Sequence, residues 1–174
     1  MIEKQFELKT EDGIIRGSYT FKENGNFPVL FLLHGFTGEM NGTRYLLRSF
    51  QRLVCENEIG VVKFDYIGCG NSSGEFTSNN ITSSIRQTIA VINHFKNNSN
   101  ISEMYIAGYS MGGVIAVEVI KQMSENFSKL LLWSPAFNMS KILLETYNSC
   151  TKVNSTTVDY FGIELTERTV LDSQ

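Results

Sequence analysis

An α/β fold on a mostly parallel sheet is what this sequence predicts, and three observations predict it. Four short runs are apolar at nearly every position: Val29-Leu30-Phe31-Leu32-Leu33, Val61-Val62-Lys63-Phe64, Tyr105-Ile106-Ala107 and Leu130-Leu131-Leu132-Trp133. Strands read this way when helices cover both of their faces. Helix-period patterns separate the runs, and strand alternating with helix implies right-handed crossovers between parallel strands. Glycine-punctuated loops follow three of the runs directly, at the carboxyl ends where such sheets collect their reactive groups.

Each element follows in order. Residues 4–10 and 14–21 alternate apolar and polar around Glu11-Asp12-Gly13, which reads as an antiparallel hairpin. A turn is expected at Asn24-Gly25-Asn26, before the first buried run. Leu46, Leu47, Phe50, Leu53 and Val54 share one face of a helix at about 43–57. Ile85, Ile89, Ile92 and Phe95 do so at about 82–97, and Val114, Ile115, Val119, Ile120 and Met123 at about 111–125. No repeat, low-complexity tract or linker interrupts the chain, so residues 1–174 are expected to form one domain.

Bulk properties narrow the partners. A net charge of -3 argues against nucleic acid or an anionic membrane surface. The longest apolar runs are strand-sized, so neither a membrane span nor a signal peptide is read. Cys55, Cys69 and Cys150 are odd in number and lack metal-ligand spacing, which suits a reducing cytoplasm. No cofactor or metal is implied.

Gly108-Tyr109-Ser110-Met111-Gly112-Gly113 stands between an apolar run and a helical pattern. A serine at such a strand–turn–helix bend is lifted clear of the backbone, and the flanking glycines relieve the clashes of the turn. Ser110 is therefore the candidate nucleophile. The alternative is that Ser110 only caps the helix, which leaves Gly108 and the Gly112-Gly113 pair unexplained. His34-Gly35-Phe36-Thr37-Gly38 follows the first buried run. Its turn can aim the Phe36 N–H into the cleft, beside the Met111 N–H, as a two-donor oxyanion hole. Read alone, His34-Gly35 fits a simple strand-ending turn as well. Asp65 opens the loop Asp65–Gly74, which lacks the Lys-Ser/Thr pair of a phosphate loop and a second carboxylate for a metal. It is expected to organise its own loop by bonding to turn backbone.

Taken together, His34–Gly38, Asp65 through Gly74 and Gly108–Gly113 resemble the α/β-hydrolase fold, in particular the bacterial feruloyl/cinnamoyl esterase-like group of serine esterases. The likeness covers most of residues 1–140. The family commonly carries histidine or arginine at Cys69 and histidine at Tyr109, so these positions depart from it. The resemblance implies a carboxylic-ester hydrolase working through an acyl-enzyme on a small-molecule ester. It also implies that Trp133-Ser134-Pro135-Ala136 ends a strand leading into a lid, with residues 137–174 part of that lid.

The family's triad runs Ser, then Asp or Glu, then His along the chain. Here both histidines, His34 and His94, precede Ser110. His34 belongs to the oxyanion loop, and His94 is expected at a helix surface. Asp159, Glu164, Glu167 and Asp172 follow Ser110 but sit in the lid region, and none is singled out as the acid. The family's last two strands are not visible. A form truncated at its C-terminus, with little or no activity, is expected, because losing a triad histidine costs on the order of a millionfold in turnover. Leu130–Trp133 then becomes an open sheet edge that could pair with a complementing C-terminal fragment or with another copy of the chain. A non-catalytic binding protein and a thioesterase, lipase or acyltransferase on the same scaffold remain open. A cysteine hydrolase is disfavoured, because no cysteine occupies an elbow.

Overall fold

The computed structural model describes residues 1–22 and 25–173. Asn24 of the expected turn lies outside the described residues. β1 (Ile2–Thr10) and β2 (Gly13–Phe21) form the hairpin in continuous antiparallel register, from Ile2 opposite Phe21 to Thr10 opposite Gly13. The chain continues through β3 (Phe27–Leu33), α1 (Leu46–Glu56), β4 (Gly60–Asp65), α2 (Ile81–Asn98), β5 (Ile101–Tyr109), α3 (Met111–Met123) and β6 (Lys129–Trp133). Strand order is β1-β2-β4-β3-β5-β6, with β4, β3, β5 and β6 parallel and β2 antiparallel to β4. Each βαβ unit is a crossover, as the alternating pattern requires.

Period-two alternation divides the strand residues between two cores. Val29, Phe31, Leu33, Val62, Phe64 and Ile106 face Val91, Ile92 and Phe95 of α2 and Ile115, Ala116 and Val119 of α3. On the other side Leu30, Leu32, Val61 and Ala107 pack on Leu47 of α1. The uniformly apolar runs are thus explained for β3, β4 and β5, which have helices on both faces.

β6 is the open edge expected of Leu130–Trp133, but it lacks the cover on both faces that its apolar run implies. Its run is as apolar as the others, yet Leu130 is 38% and Leu131 45% exposed. α3 packs on it from one side, and no strand pairs with its outer edge among the described residues.

Residues 137–174, expected as a lid, contain α4 (Met139–Ser149), a three-stranded antiparallel sheet of β7 (Thr151–Lys152), β8 (Thr157–Tyr160) and β9 (Ile163–Thr166), and α5 (Glu167–Asp172). Met139, Leu143, Tyr147, Val158, Leu165 and Val170 belong to the same buried cluster as the main sheet. Two bonds tie the end of this region to the start of α2. Asp172 Oδ2 accepts from Thr82 N–H at 2.8 Å, and Thr169 Oγ1 donates to the Asn79 carbonyl at 3.1 Å. Among the described residues, no helix is long and apolar enough to cross a membrane.

Candidate active site

β5 ends at Tyr109 and α3 begins at Met111, so a single residue makes the turn. That residue, Ser110, has φ 54° and ψ −120°, a conformation that non-glycine residues rarely hold. Such strain persists only where the surroundings over-determine it. Here the Ser110 N–H donates to the Trp133 carbonyl at 3.0 Å, while its own carbonyl accepts from Gly113 and Ala136 N–H at 2.9 and 3.1 Å. Close packing explains the glycines. A Cβ on Gly112 would lie 2.5 Å from the Leu33 carbonyl oxygen and 2.6 Å from that of His34. The helix can start this near β3 only because position 112 has no side chain. Ser110 precedes the helix but makes no side-chain capping bond, so capping does not account for it.

The loop after β3 lies directly against the serine. A Cβ on Gly35 would stand 3.0 Å from Ser110 Cβ and 3.5 Å from its Oγ. A cavity of about 180 Å³ opens there, lined by Ser110, Tyr109, Gly35, Phe36, Glu39 and Thr43 among others. The half-buried Phe36 ring meets Phe76 edge-on at 5.4 Å between centroids and Tyr160 at 6.3 Å. The Met111 N–H is at the first position of α3, where no intrahelical acceptor exists. The structure therefore brings Ser110, the Phe36 loop and the α3 N-terminus to one end of the sheet.

His34 is 1% exposed and structural. Its Nδ1 lies 2.9 Å from the Gly35 carbonyl, and Tyr66 N–H donates to its Nε2 at 3.4 Å. That pairing fixes the neutral tautomer protonated on Nδ1. Burial lowers its pKa to about 4, against the opposing bond to Gly35 and the charge of Glu39. With both nitrogens engaged, it has none free to take a proton from Ser110. His94, expected at the surface, is instead half-buried at the far end of α2. It stacks on Phe6 of β1 at 6.4 Å and meets Phe95 edge-on at 5.1 Å, because the hairpin covers that part of the helix.

Asp65 organises its loop as predicted. Oδ1 accepts from Met40 N–H at 2.6 Å and Oδ2 from Asn71 N–H at 2.8 Å. Burial raises its pKa, and these two bonds pull it back. The Ser72 hydroxyl donates to the Asp65 carbonyl at 2.6 Å and accepts from Arg16 N–H at 2.8 Å, so the loop is sewn to β2. Burial pushes the Cys69 thiol up to about 12, which keeps it protonated and unreactive. Of the acidic residues after Ser110, Asp159 accepts from Gly162 N–H at 2.6 Å and Asp172 from the start of α2. Sequence reasoning passed over Lys63 and Asn41, which bond to each other at 2.7 Å beside the loop that follows β3. The signal was present: Lys63 is the one charge inside an apolar run.

Residues 26–169 match the family described as serine aminopeptidase, S33. The chain belongs to this family of α/β hydrolases. Its fold is shared with Est1E of Butyrivibrio proteoclasticus, solved with ferulic acid bound, at a TM-score of 0.85 and 20% identity over 97% of this chain and 70% of that one. An esterase of Pyrococcus furiosus superposes with a TM-score of 0.72 at 21% identity, over 84% of this chain and 55% of that one. Lysophosphatidylserine lipase ABHD12 of Xenopus tropicalis is 26% identical over 117 residues, which are 66% of this chain and 29% of that protein. The chain spans 29 to 31% of the length of the first curated relatives it matches.

Proposed function

We propose that this S33 chain carries the nucleophilic half of a serine carboxylic-ester hydrolase. Ser110 Oγ attacks the ester carbonyl and forms the Oγ–C bond as its proton passes to a base. The Phe36 and Met111 N–H groups receive the developing oxyanion. Collapse of the tetrahedral species breaks the C–O bond to the alcohol, which leaves with that proton. Water then attacks the acyl-enzyme by the same route and releases the acid. The observation that carries the reading is the strained Ser110 backbone, with its side chain on the same cavity as the Gly35-Phe36 loop.

The base is the part these 174 residues do not supply, since His34 is committed and His94 packs against the hairpin. We assign it to a polypeptide segment that extends the sheet beside β6 and brings a histidine and its acid to Ser110. The exposed leucines of β6 support that placement. On their own, the 174 residues are then slow or inactive, because a serine without its histidine loses about six orders of magnitude in turnover.

A fluorophosphonate probe followed by peptide mapping tests the nucleophile. Ser110 is expected to be the labelled residue, slowly in the isolated chain, with labelling abolished by Ser110→Ala. Labelling of another serine, or undiminished labelling of Ser110→Ala, refutes the assignment. Hydrolysis of a simple aryl ester by the chain alone, at the rate of a complete triad enzyme, refutes the external base.

A further inference from the structure

The face of β4 turned toward α1 carries two ionisable side chains among apolar neighbours. Lys63 and Asp65 are two residues apart, so they project to the same side. Both are buried, at 1% and 0% exposure. Both also reach the same stretch of chain. Asp65 Oδ1 accepts from Met40 N–H at 2.6 Å, and Lys63 Nζ donates to Asn41 Oδ1 at 2.7 Å. That stretch then closes on itself. Asn41 donates to Glu39 Oε2 through its backbone N–H at 2.9 Å and its side-chain amide at 2.8 Å. Gly42 N–H donates to the Glu39 carbonyl at 2.9 Å and Gly38 N–H to the Gly35 carbonyl at 3.1 Å. Residues 34–42 thus hang from β3 at one end and from β4 at the other, with Phe36 between.

Stability does not account for the lysine. A buried ammonium loses most of its hydration, and an apolar side chain of similar volume in its place is commonly neutral or stabilising. Its charge partner, Glu3 on β1, is 3.6 Å away and is held by Ser18 Oγ at 2.9 Å and Gln51 Nε2 at 3.4 Å. Asp65 divides its two oxygens between the Met40 and Asn71 loops, whereas the only loop Lys63 reaches among the described residues is the one holding Phe36.

We propose that Lys63 is a positioning residue for the oxyanion loop: its bond to Asn41 fixes the segment that carries the Phe36 N–H to Ser110. This rests on the serine-hydrolase reading above. Oxyanion donors act only within a narrow distance of the developing charge, and small displacements of a positioned group cost rate steeply.

The test uses Lys63→Met, Asn41→Ala and the double variant of the 174-residue chain. Two quantities are read: hydrogen exchange of peptides covering 34–42 and 108–113, and the second-order rate of Ser110 labelling by a fluorophosphonate. Each single variant is expected to exchange about tenfold faster in 34–42, with 108–113 unchanged, and to label about tenfold more slowly. In 34–42 the double variant is expected to match Asn41→Ala, since each single already removes the Lys63–Asn41 bond and Asn41→Ala also removes the side-chain bond to Glu39. Unchanged exchange in 34–42, equal loosening of 108–113, or additive losses in the double variant would each overturn the proposal. Asn41 is only half-buried, so its variant carries the test if Lys63→Met does not fold. Should Ser110 of the unaltered chain resist labelling altogether, as a serine without its base can, the exchange pattern alone decides the role of Lys63.

Discussion

The two edges of the six-stranded sheet are built on opposite plans. β1 carries Glu3, Lys4, Gln5, Glu7 and Lys9 along nine residues, and its outer side offers charge to any approaching strand. Arg16 and Glu7 pair across it at 2.6 Å. This is how natural sheets protect an edge from unwanted pairing. β6 has Lys129 at its start and then Leu130, Leu131, Leu132 and Trp133. The first edge is finished. The second has the composition of an interior strand, and on the reading proposed here it is the seat of the segment that brings the base.

The largest expected effect belongs to the covered middle of the sheet. Gly112→Ala adds one methyl group against the Leu33 and His34 carbonyls, two backbone atoms that cannot swing aside. On an open helix the same change gains about 1 kcal/mol. Here a loss of about 2–3 kcal/mol is expected, as for overpacking in a tight core. Urea unfolding checks it, and the sign alone is decisive. A gain would mean that α3 does not approach β3 as closely as the elbow requires.

The middle should also titrate. His34 is held neutral, with a pKa lowered from 6.5 to about 4. Between those values the unfolded chain binds more protons than the folded one. Stability is therefore full above about pH 6.5 and falls as the pH drops toward 4, by about 2–3 kcal/mol. Unfolding midpoints at pH 7.5 and 4.5 measure this, and His34→Asn should flatten the difference. An unchanged difference in that variant would place the titration elsewhere.

The same contrast shows what sequence can and cannot disclose. The elbow and the His34-Gly35 turn were legible because close backbone approach demands glycine, and that demand is written at fixed positions. The apolar runs of β3 and β4 were legible because both faces are covered within the chain. β6 was legible as an open edge, but its run of four apolar residues did not reveal that one face lacks a helix, because such a run reads alike whether or not both faces are covered. The small sheet of residues 151–166 gave no pattern, being short, two-sided and rich in Ser, Thr and Asn. Lys63 was visible as a charge in an apolar run, but its partner Asn41 is 22 positions away and no local rule connects them.

The smallest effect on stability, and the sharpest test of the two-edge contrast, lies at β6 itself. Leu131→Lys places on the open edge the residue type that guards β1. Leu131 is already 45% exposed, so the folded chain should change by no more than about 0.5 kcal/mol. What should change is association. If β6 is a docking edge, sedimentation should show the unaltered chain self-associating, or binding a complementing segment, and the variant doing neither. Lys4→Leu is the reverse experiment and should make β1 newly adhesive at equally small cost. A variant at Leu131 that loses several kcal/mol would show that β6 is buried in the isolated chain after all. The two edges would then differ in sequence but not in solvent contact.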